Sequence, residues 1–275
     1  MADYRFYLDR VLTKKRSGID TDLQVYLNSL VTPLSTGQVG LLNTFVTTLK
    51  SGLGITNLSD VFDVMYILGN ETEEAGLKNL VKRAHDATLS ATAPTFTALE
   101  GFTGNASSAF IDTNYNPSTQ GVNYQLNNAG AGIYSRTERG VDAEKYEFGA
   151  LDTINILGIN IHRDSGLSRM FLNNNTGANI PSTGAKGMYG IYRNNPLTLY
   201  ANINGITTPS NRDATNIPNL NVYIFALNSN GINAIHTDSQ LAFYFIGSAL
   251  TGAEIDILIN TFETYMNANG KGVII

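Results

Sequence analysis

The sequence of 275 residues contains no cysteine, no tryptophan and only three histidines. The absence of cysteine excludes disulfides, thiolate metal sites and cysteine nucleophiles. Charged residues are also scarce, at 15%, and the net charge is −5. Electrostatic binding of nucleic acid needs clustered lysine and arginine, so this charge balance argues against a nucleic-acid partner.

Long apolar runs are missing as well. No run reaches the roughly 18 residues expected of a membrane span. The first residues, "MADYRFYLDRVLTKKR", lack the apolar stretch of a secretory signal. We therefore expect no membrane span, whereas a hydrophobic content of 43% over this length suffices for a sizeable core.

The first 20 residues differ in character from the rest. Aromatic and aliphatic residues alternate there with mostly polar ones, which is the pattern of a half-buried strand. Five of the 18 basic residues also lie in the first 16 positions. Residues 1–20 are predicted to be an arm that docks on a partner, the alternative being a solvated tail. The residues assigned to this anchoring are Tyr4, Arg5, Phe6, Leu8, Arg10, Lys14, Lys15 and Arg16.

Residues 21–56 are predicted to be a helical anchor or linker. Residues 20–31 carry an apolar stripe of helical period, which Pro33 ends. In the next helix, Ser35 and Gln38 have the spacing of a capping box, and Gly52 suits the helix end.

From about residue 95 the pattern indicates β-structure. Short apolar segments alternate with turn-forming sequences such as "NPST" and "NSNG". Nine strands are predicted at residues 109–115, 131–137, 145–151, 153–163, 168–174, 187–193, 197–205, 220–228 and 240–247, with long polar loops after residues 174 and 206. Strands without intervening helices indicate an antiparallel two-sheet sandwich, here spanning residues 57–275.

The segment "EIDIL" (residues 254–258) matches most of an acidic signature of β-sandwich glycosidases, in which the acids share a strand. The third acid is missing, because Asn260 stands near its place. Thr251 and Glu254 have capping-box spacing, and apolar residues then recur with helical period up to Gly270. Glu254 is therefore predicted to cap a C-terminal helix and Asp256 to lie in its first turn.

Other catalytic chemistry has little support in the sequence. The histidines lie far apart and are interpreted as surface or structural residues: His85, His162 and His236. The only acids clustered on predicted strands are Glu144, Glu147 and Asp152. Strict alternation does not place Asp152 on one face with both glutamates, so a glycoside hydrolase is a remote alternative. We expect no metal and no cofactor.

Two segments together carry a family resemblance. Residues 101–120, "GFTGNASSAFIDTNYNPSTQ", are similar to the opening of the laminin-G-like, concanavalin A-like domains of bacteriophage virion proteins. Residues 240–271, "QLAFYFIGSALTGAEIDILINTFETYMNANGK", resemble the closing strand and final helix of the same domains. The resemblance covers residues 57–271 and implies a mainly β jelly-roll sandwich with N-terminal helices and a C-terminal helix.

That family includes tail fibres, baseplate appendages and head fibres or decorations, many of which bind cell-surface glycans. The resemblance thus implies a non-enzymatic structural protein of the virion, assembled in the cytoplasm of the infected bacterium and anchored by its arm. The implied partners are other virion proteins and further copies of the chain, a trimer being one candidate. A host-surface glycan-binding module is the alternative.

A glycan site combines aromatic stacking faces with amides and charged groups. Strand residues of that type are Tyr134, Arg136, Tyr189, Tyr192 and Arg193. These five are the predicted carbohydrate-binding residues, and the alternative is that they are ordinary sheet surface or core. The absence of tryptophan removes the best stacking residue.

Overall fold

The computed structural model describes residues 18–138, 140–141, 143–163 and 166–274. The eight predicted anchoring residues, from Tyr4 to Arg16, lie outside the described residues. The docking arm therefore stays a prediction. No helix in the described part is long and apolar enough to cross a membrane.

The described helices are α1 (Thr21–Leu27), α2 (Thr36–Leu53), α3 (Glu73–Leu77), α4 (Pro117–Gln120) and α5 (Gly252–Ala268), with a 3₁₀ turn at Leu58–Asp60. Ser35 caps α2 by accepting a hydrogen bond from the amide of Gln38. The capping box of Thr251 and Glu254 at α5 is confirmed. Helix α2 runs past Gly52 and ends at Gly54, whose φ of 66° is the left-handed conformation that a helix C-cap requires.

The strands form two sheets. Sheet A contains, in spatial order, β13 (Ile206–Asn211), β12 (Thr198–Ile203), β11 (Gly187–Arg193), β6 (Ala129–Ser135), β17 (Gln240–Gly247), β4 (Gly101–Thr103) and β3 (Thr95–Thr97), with β1 (Phe62–Tyr66) also paired to β17. Sheet B contains β10 (Ala178–Pro181), β9 (Leu167–Asn174), β8 (Asn155–Arg163), β7 (Phe148–Asp152), β14 (Tyr223–Ile224), β5 (Ile111–Asp112) and β2 (Thr88–Leu89). In addition, β15 (Leu227–Ser229) pairs with β7, and β16 (Ile232–Ala234) pairs with β15.

The two sheets enclose one core. Buried side chains from both inner faces meet there, among them Ile133 and Tyr189 of sheet A and Leu157 and Ile159 of sheet B. Neighbouring strands are antiparallel apart from β15, which runs parallel to β7. The predicted mainly β, antiparallel two-sheet sandwich is confirmed.

A layer of helices covers the outer face of sheet A. Phe262 of α5 stacks on Phe243 of β17 with ring centroids 4.5 Å apart. Phe45 of α2 meets Phe243 and Phe262 edge-on at 6.2 and 6.0 Å. Residues 21–56, predicted as an anchor or linker, thus supply helices that pack on the sandwich, and this face of sheet A is closed to large ligands.

The strand predictions differ from the structure where the backbone turns left-handed. Strands β11 and β17 have the predicted bounds. The strand predicted at residues 220–228 is two strands, because Phe225 has a φ of 73° and interrupts the ladder. The strand predicted at residues 109–115 shortens to β5, and Asn114 beyond it has a φ of 51°. The polar loops after residues 174 and 206 contain the strands β10 and β13.

Candidate functional site

Tyr134, the first of the predicted sugar-binding residues, is completely buried under α5. Its hydroxyl donates a hydrogen bond to the carboxylate of Glu263 and accepts one from the amide of Val273 at 2.9 Å. Burial, together with the hydrogen bond to Glu263, raises the pKa of this hydroxyl well above its ordinary value. The ring therefore offers no stacking face to a sugar in this conformation.

Tyr189 and Tyr192 lie on opposite faces of β11. Tyr189 points into the core between the sheets, and its hydroxyl donates to the carbonyl of Gly184 at 2.7 Å. Tyr192 lies on the helix side, where its ring stacks on Tyr200 at 4.9 Å with an interplanar angle of 9°. The rings of Tyr189 and Tyr192 are both buried, so these two residues do not form one stacking surface for a sugar.

The two predicted arginines fasten chain segments together. Arg193 is fully buried and donates to the carbonyl oxygens of Pro196, Leu172 and Arg212 at 3.1, 2.8 and 3.0 Å. Burial lowers the pKa of its guanidinium. Arg136 binds the side chains of Glu100 and Gln240 at 3.0 and 2.6 Å. The predicted set of five is thus not assembled on one exposed surface, because helices and loops cover the strand faces that carry it.

The remaining candidate groups also take structural positions. Glu254 accepts the amide of Thr251 at 2.7 Å, so its predicted capping role is confirmed. Ring nitrogen Nδ1 of His85 lies 2.8 Å from the carbonyl oxygen of Asn114. His236 is buried, which lowers its pKa, and the side chain of His162 lies outside the described residues. The described part of the chain contains no group of three or more His, Asp or Glu side chains that could hold a metal ion.

The clustered acids do not converge. The carboxylate of Glu144 lies 4.0 Å from the guanidinium of Arg169, and Glu147 is fully buried. Asp152 instead stands at the end of β7 and lines an open cleft at the hairpin end of sheet B.

This cleft has a volume of about 530 Å³, which lies within the range of ligand pockets. We call it the Asp152 cleft. Its lining residues come from two hairpin turns and from the polar loop that precedes β14: Asp152, Thr153, Ile154, Asn155, Asn216, Asn219, Leu220 and Asn230.

The carboxylate of Asp152 joins one hairpin to the polar loop. The two-residue turn between β7 and β8 places Asp152 directly opposite Asn155. One carboxylate oxygen, Oδ1, accepts from the side-chain amide and the backbone amide of Asn155 at 3.1 and 3.3 Å. The other, Oδ2, accepts from the backbone amide of Asn219 at 2.7 Å. The wall of the cleft is therefore fixed before any ligand arrives.

Asn230 joins the second hairpin to the first. Asn230 and Gly231 form the turn between β15 and β16 with φ values of 52° and 87°, as a type I′ turn requires. The backbone amide of Asn230 donates to the carbonyl of Leu151, and its side-chain oxygen accepts from the backbone amide of Thr153, both at 2.9 Å. Thr153 has a φ of 33°, a strained conformation for a β-branched residue.

The cleft combines hydrogen-bonding groups with an apolar rim. Within the described residues, the amide nitrogens Nδ2 of Asn219 and Asn230 and the whole side-chain amide of Asn216 have no protein partner. Ile154 at the hairpin tip is 57% exposed. Such a surface can bind a polyhydroxylated ligand with apolar CH patches.

Two other cavities in the described structure are smaller. A mainly apolar groove of about 190 Å³ lies between α2 and α5 and is lined by residues such as Leu41 and Tyr265. A polar pocket of about 220 Å³ lies beside Tyr189 and is lined by Glu138 and Lys186. The Asp152 cleft exceeds both of them in volume and is taken as the candidate site.

No family model matches the sequence, and no curated protein matches it. Solved structures match its fold. The receptor binding domain of botulinum neurotoxin D is 12% identical, with a TM-score of 0.50 over 74% of this chain and 53% of that chain. A Trypanosoma rangeli sialidase in complex with 2,3-difluoro-KDN is 10% identical, with a TM-score of 0.52 over 86% of this chain and 40% of that chain.

The fold shared with these structures is an antiparallel two-sheet β-sandwich. A point mutant of HCR/D matches it similarly, with 12% identity and a TM-score of 0.53 over 74% of this chain and 53% of that chain. The chain spans about half the length of these structures or less. At such low identity the likeness concerns the fold alone.

Proposed function

We propose that this chain is a non-enzymatic structural protein of a bacteriophage virion, such as a tail fibre, baseplate appendage, head fibre or decoration, which displays a lectin-like sandwich. The observation that carries this proposal is the pairing of the two segments that resemble phage domains. Phe102 of β4 pairs with Leu241 of β17, so residues 101–120 and 240–271 meet in sheet A.

The helical layer supports the anchoring part of the proposal. The side chain of Asn43 in α2 binds the carbonyl of Gly18 and the amide of Asp20 at 3.0 and 2.8 Å. Lys50 pairs with the carboxylates of Asp20 and Asp22 at 2.8 and 3.0 Å. Residues 18–22, which follow the predicted arm, are thus bonded to α2. These bonds would transmit a load on the arm to the sandwich.

Recognition of a host-surface glycan is the second part of the proposal. It is favoured by the Asp152 cleft, which presents a carboxylate, unpaired amides and an exposed isoleucine within about 530 Å³.

The number of acids favours binding without hydrolysis. Most retaining glycosidases use two carboxyl groups about 5–5.5 Å apart, and most inverting ones use two about 6.5–9.5 Å apart. Asp152 is the one carboxylate among the described residues that line the cleft. Its oxygens already accept three hydrogen bonds that hold the loops together.

The virion role is tested by particle incorporation. We expect the full chain to be present in purified phage particles, and a variant that lacks residues 1–17 to be absent from them. Both proteins should unfold at the same denaturant concentration, because the truncated variant keeps the salt bridge between Asp20 and Lys50. Incorporation of the truncated variant, or absence of the full chain from particles, would contradict the proposal.

The glycan role is tested by retention of the full chain on an array of bacterial and host polysaccharides. We expect retention of at least one polysaccharide without release of reducing ends. A blank array contradicts glycan recognition, and measurable cleavage contradicts the non-enzymatic assignment.

A further inference from the structure

The charge of the Asp152 cleft sets it apart from a site for acidic sugars. Asp152 is the one charged side chain among the described lining residues, and no lysine or arginine accompanies it there. We propose that the cleft binds a neutral sugar through its hydroxyl groups and discriminates against carboxylated sugars. This inference rests on the glycan-recognition part of the proposed function and specifies its ligand class.

Asp152 has room for one more donor. An ionised carboxylate offers about four acceptor positions. Oδ1 takes two hydrogen bonds from Asn155, whereas Oδ2 takes one, from the backbone amide of Asn219. A sugar hydroxyl that donates to Oδ2 would make a short, charge-assisted bond.

The asparagines supply the complementary donors. The oxygen of Asn219 accepts from Asn116 at 2.8 Å, which orients its Nδ2 group as a free donor. The oxygen of Asn230 accepts from Thr153 at 2.9 Å, with the same consequence for its Nδ2. Each hydroxyl of a sugar both donates and accepts, so a carboxylate beside amide donors matches neighbouring hydroxyls on one ring.

The apolar rim serves the CH face of the ring. Ile154 is 57% exposed at the tip of the first hairpin, and half-buried Leu220 lies in the opposite loop. Because the hairpins and the loop are already hydrogen-bonded to each other, little ordering is required on binding.

A carboxylated sugar meets repulsion in the same place. Two like charges about 4 Å apart repel even in water, and more strongly near a protein surface. No lining cation offsets this repulsion among the described residues. We expect a uronide to bind at least about fivefold more weakly than its neutral parent, which corresponds to about 1 kcal/mol.

The experiment uses the full chain and matched pairs of probes. Methyl glucoside is compared with methyl glucuronide, and methyl galactoside with methyl galacturonide, by ligand-observed NMR titration at low and high salt. The neutral member of a pair should bind at least about fivefold more tightly, and salt should reduce the difference because it screens the charge.

Variants locate the effect. Asp152→Asn keeps the side-chain volume and one acceptor oxygen but removes the charge and the second acceptor, so binding of the neutral probe should weaken about tenfold and the difference within a pair should vanish. The matched control is Glu73→Gln, which replaces an exposed acid in α3. It should change neither the affinity for the neutral probe nor the difference within a pair. Ile154→Asn should weaken the neutral probe about fivefold, whereas Ile206→Asn, at another hairpin and 74% exposed, should not.

The outcomes separate the two levels of the proposal. If the polysaccharide array is blank and none of the four glycosides binds, glycan recognition fails and this inference fails with it. If neutral glycosides bind but the uronides bind equally well, the inference alone is overturned. It is also overturned if Asp152→Asn and Ile154→Asn leave binding unchanged while the array remains positive.

Discussion

The outer face of sheet A and the hairpin end of sheet B are built from opposite kinds of side chain. The first is lined with aromatic rings, which α2 and α5 cover. The second is lined with asparagines and one aspartate and stays open. The comparison teaches that aromatic residues on the strands of a β-sandwich need not be accessible to a ligand, because a further layer can use them as core.

The largest expected effect concerns the covered face. Phe262 is fully buried against Phe45, Tyr134 and Phe243. Phe262→Ala should lower the free energy of unfolding by about 4 kcal/mol, because it leaves a cavity between α5 and the sheet. Ile154→Ser at the open end should change it by less than about 0.5 kcal/mol. Urea denaturation measures both, and equal effects would contradict the layered description.

The second effect concerns the fastening of the N-terminal segment to α2. Lys50→Met leaves the carboxylates of Asp20 and Asp22 without their cation, and their side chains are only 13% and 16% exposed. We expect a loss of about 3 kcal/mol in unfolding free energy. Lys186→Met, at an exposed position, serves as the control. A loss no larger than that of the control would show that the two carboxylates are solvated.

A third, smaller effect depends on pH. The hydrogen bond from Lys271, and then that from Arg136, lowers the pKa of Glu100. A carboxyl group whose pKa is lower in the folded state than in the unfolded state stabilises the fold at pH values above its unfolded pKa of about 4.3. This stabilisation is lost as the pH falls through the pKa of the folded state. Glu100→Gln should therefore cost about 1 kcal/mol at neutral pH.

The difference in unfolding free energy between the native protein and the Glu100→Gln variant should shrink as the pH is lowered from about 5 to about 3. Thermal unfolding at a series of pH values measures it. A difference that grows on acidification would have the wrong sign for a depressed carboxyl pKa.

The smallest effect concerns the strained turn of the cleft. Thr153→Gly should raise the unfolding free energy by about 0.5–1 kcal/mol, because glycine adopts the positive φ of 33° without a steric penalty. Thr44→Gly in α2 should have the opposite sign, since glycine is unfavourable within a helix. If both variants destabilise, Thr153 is not strained in solution.

Local features of the fold could be predicted from the sequence. The cap at Ser35, the capping box at Thr251 and Glu254 and the bounds of β11 follow from residues within a few positions of each other. The backbone hydrogen bonds that these features satisfy are themselves local, so their signals survive in a single sequence.

The candidate site could not be predicted in the same way. The alternation of β11 indicates that Tyr189 and Tyr192 face opposite sides, but it does not indicate which side the helices cover. Asp152, Asn219 and Asn230 come together only through hydrogen bonds between distant segments. A weaker signal was available, because the "NSNG" turn and the polar loop after residue 206 mark the two segments that meet Asp152.

The most direct test of the central claim is to map backbone amide NMR shifts while the neutral glycoside that binds most tightly is added. If the glycoside binds in the Asp152 cleft, the largest shifts should occur at Asp152, Thr153, Ile154, Asn219 and Asn230. Shifts centred instead on Arg136, Tyr189 or the pocket of Lys186 would contradict this account and place recognition at the other end of the sandwich.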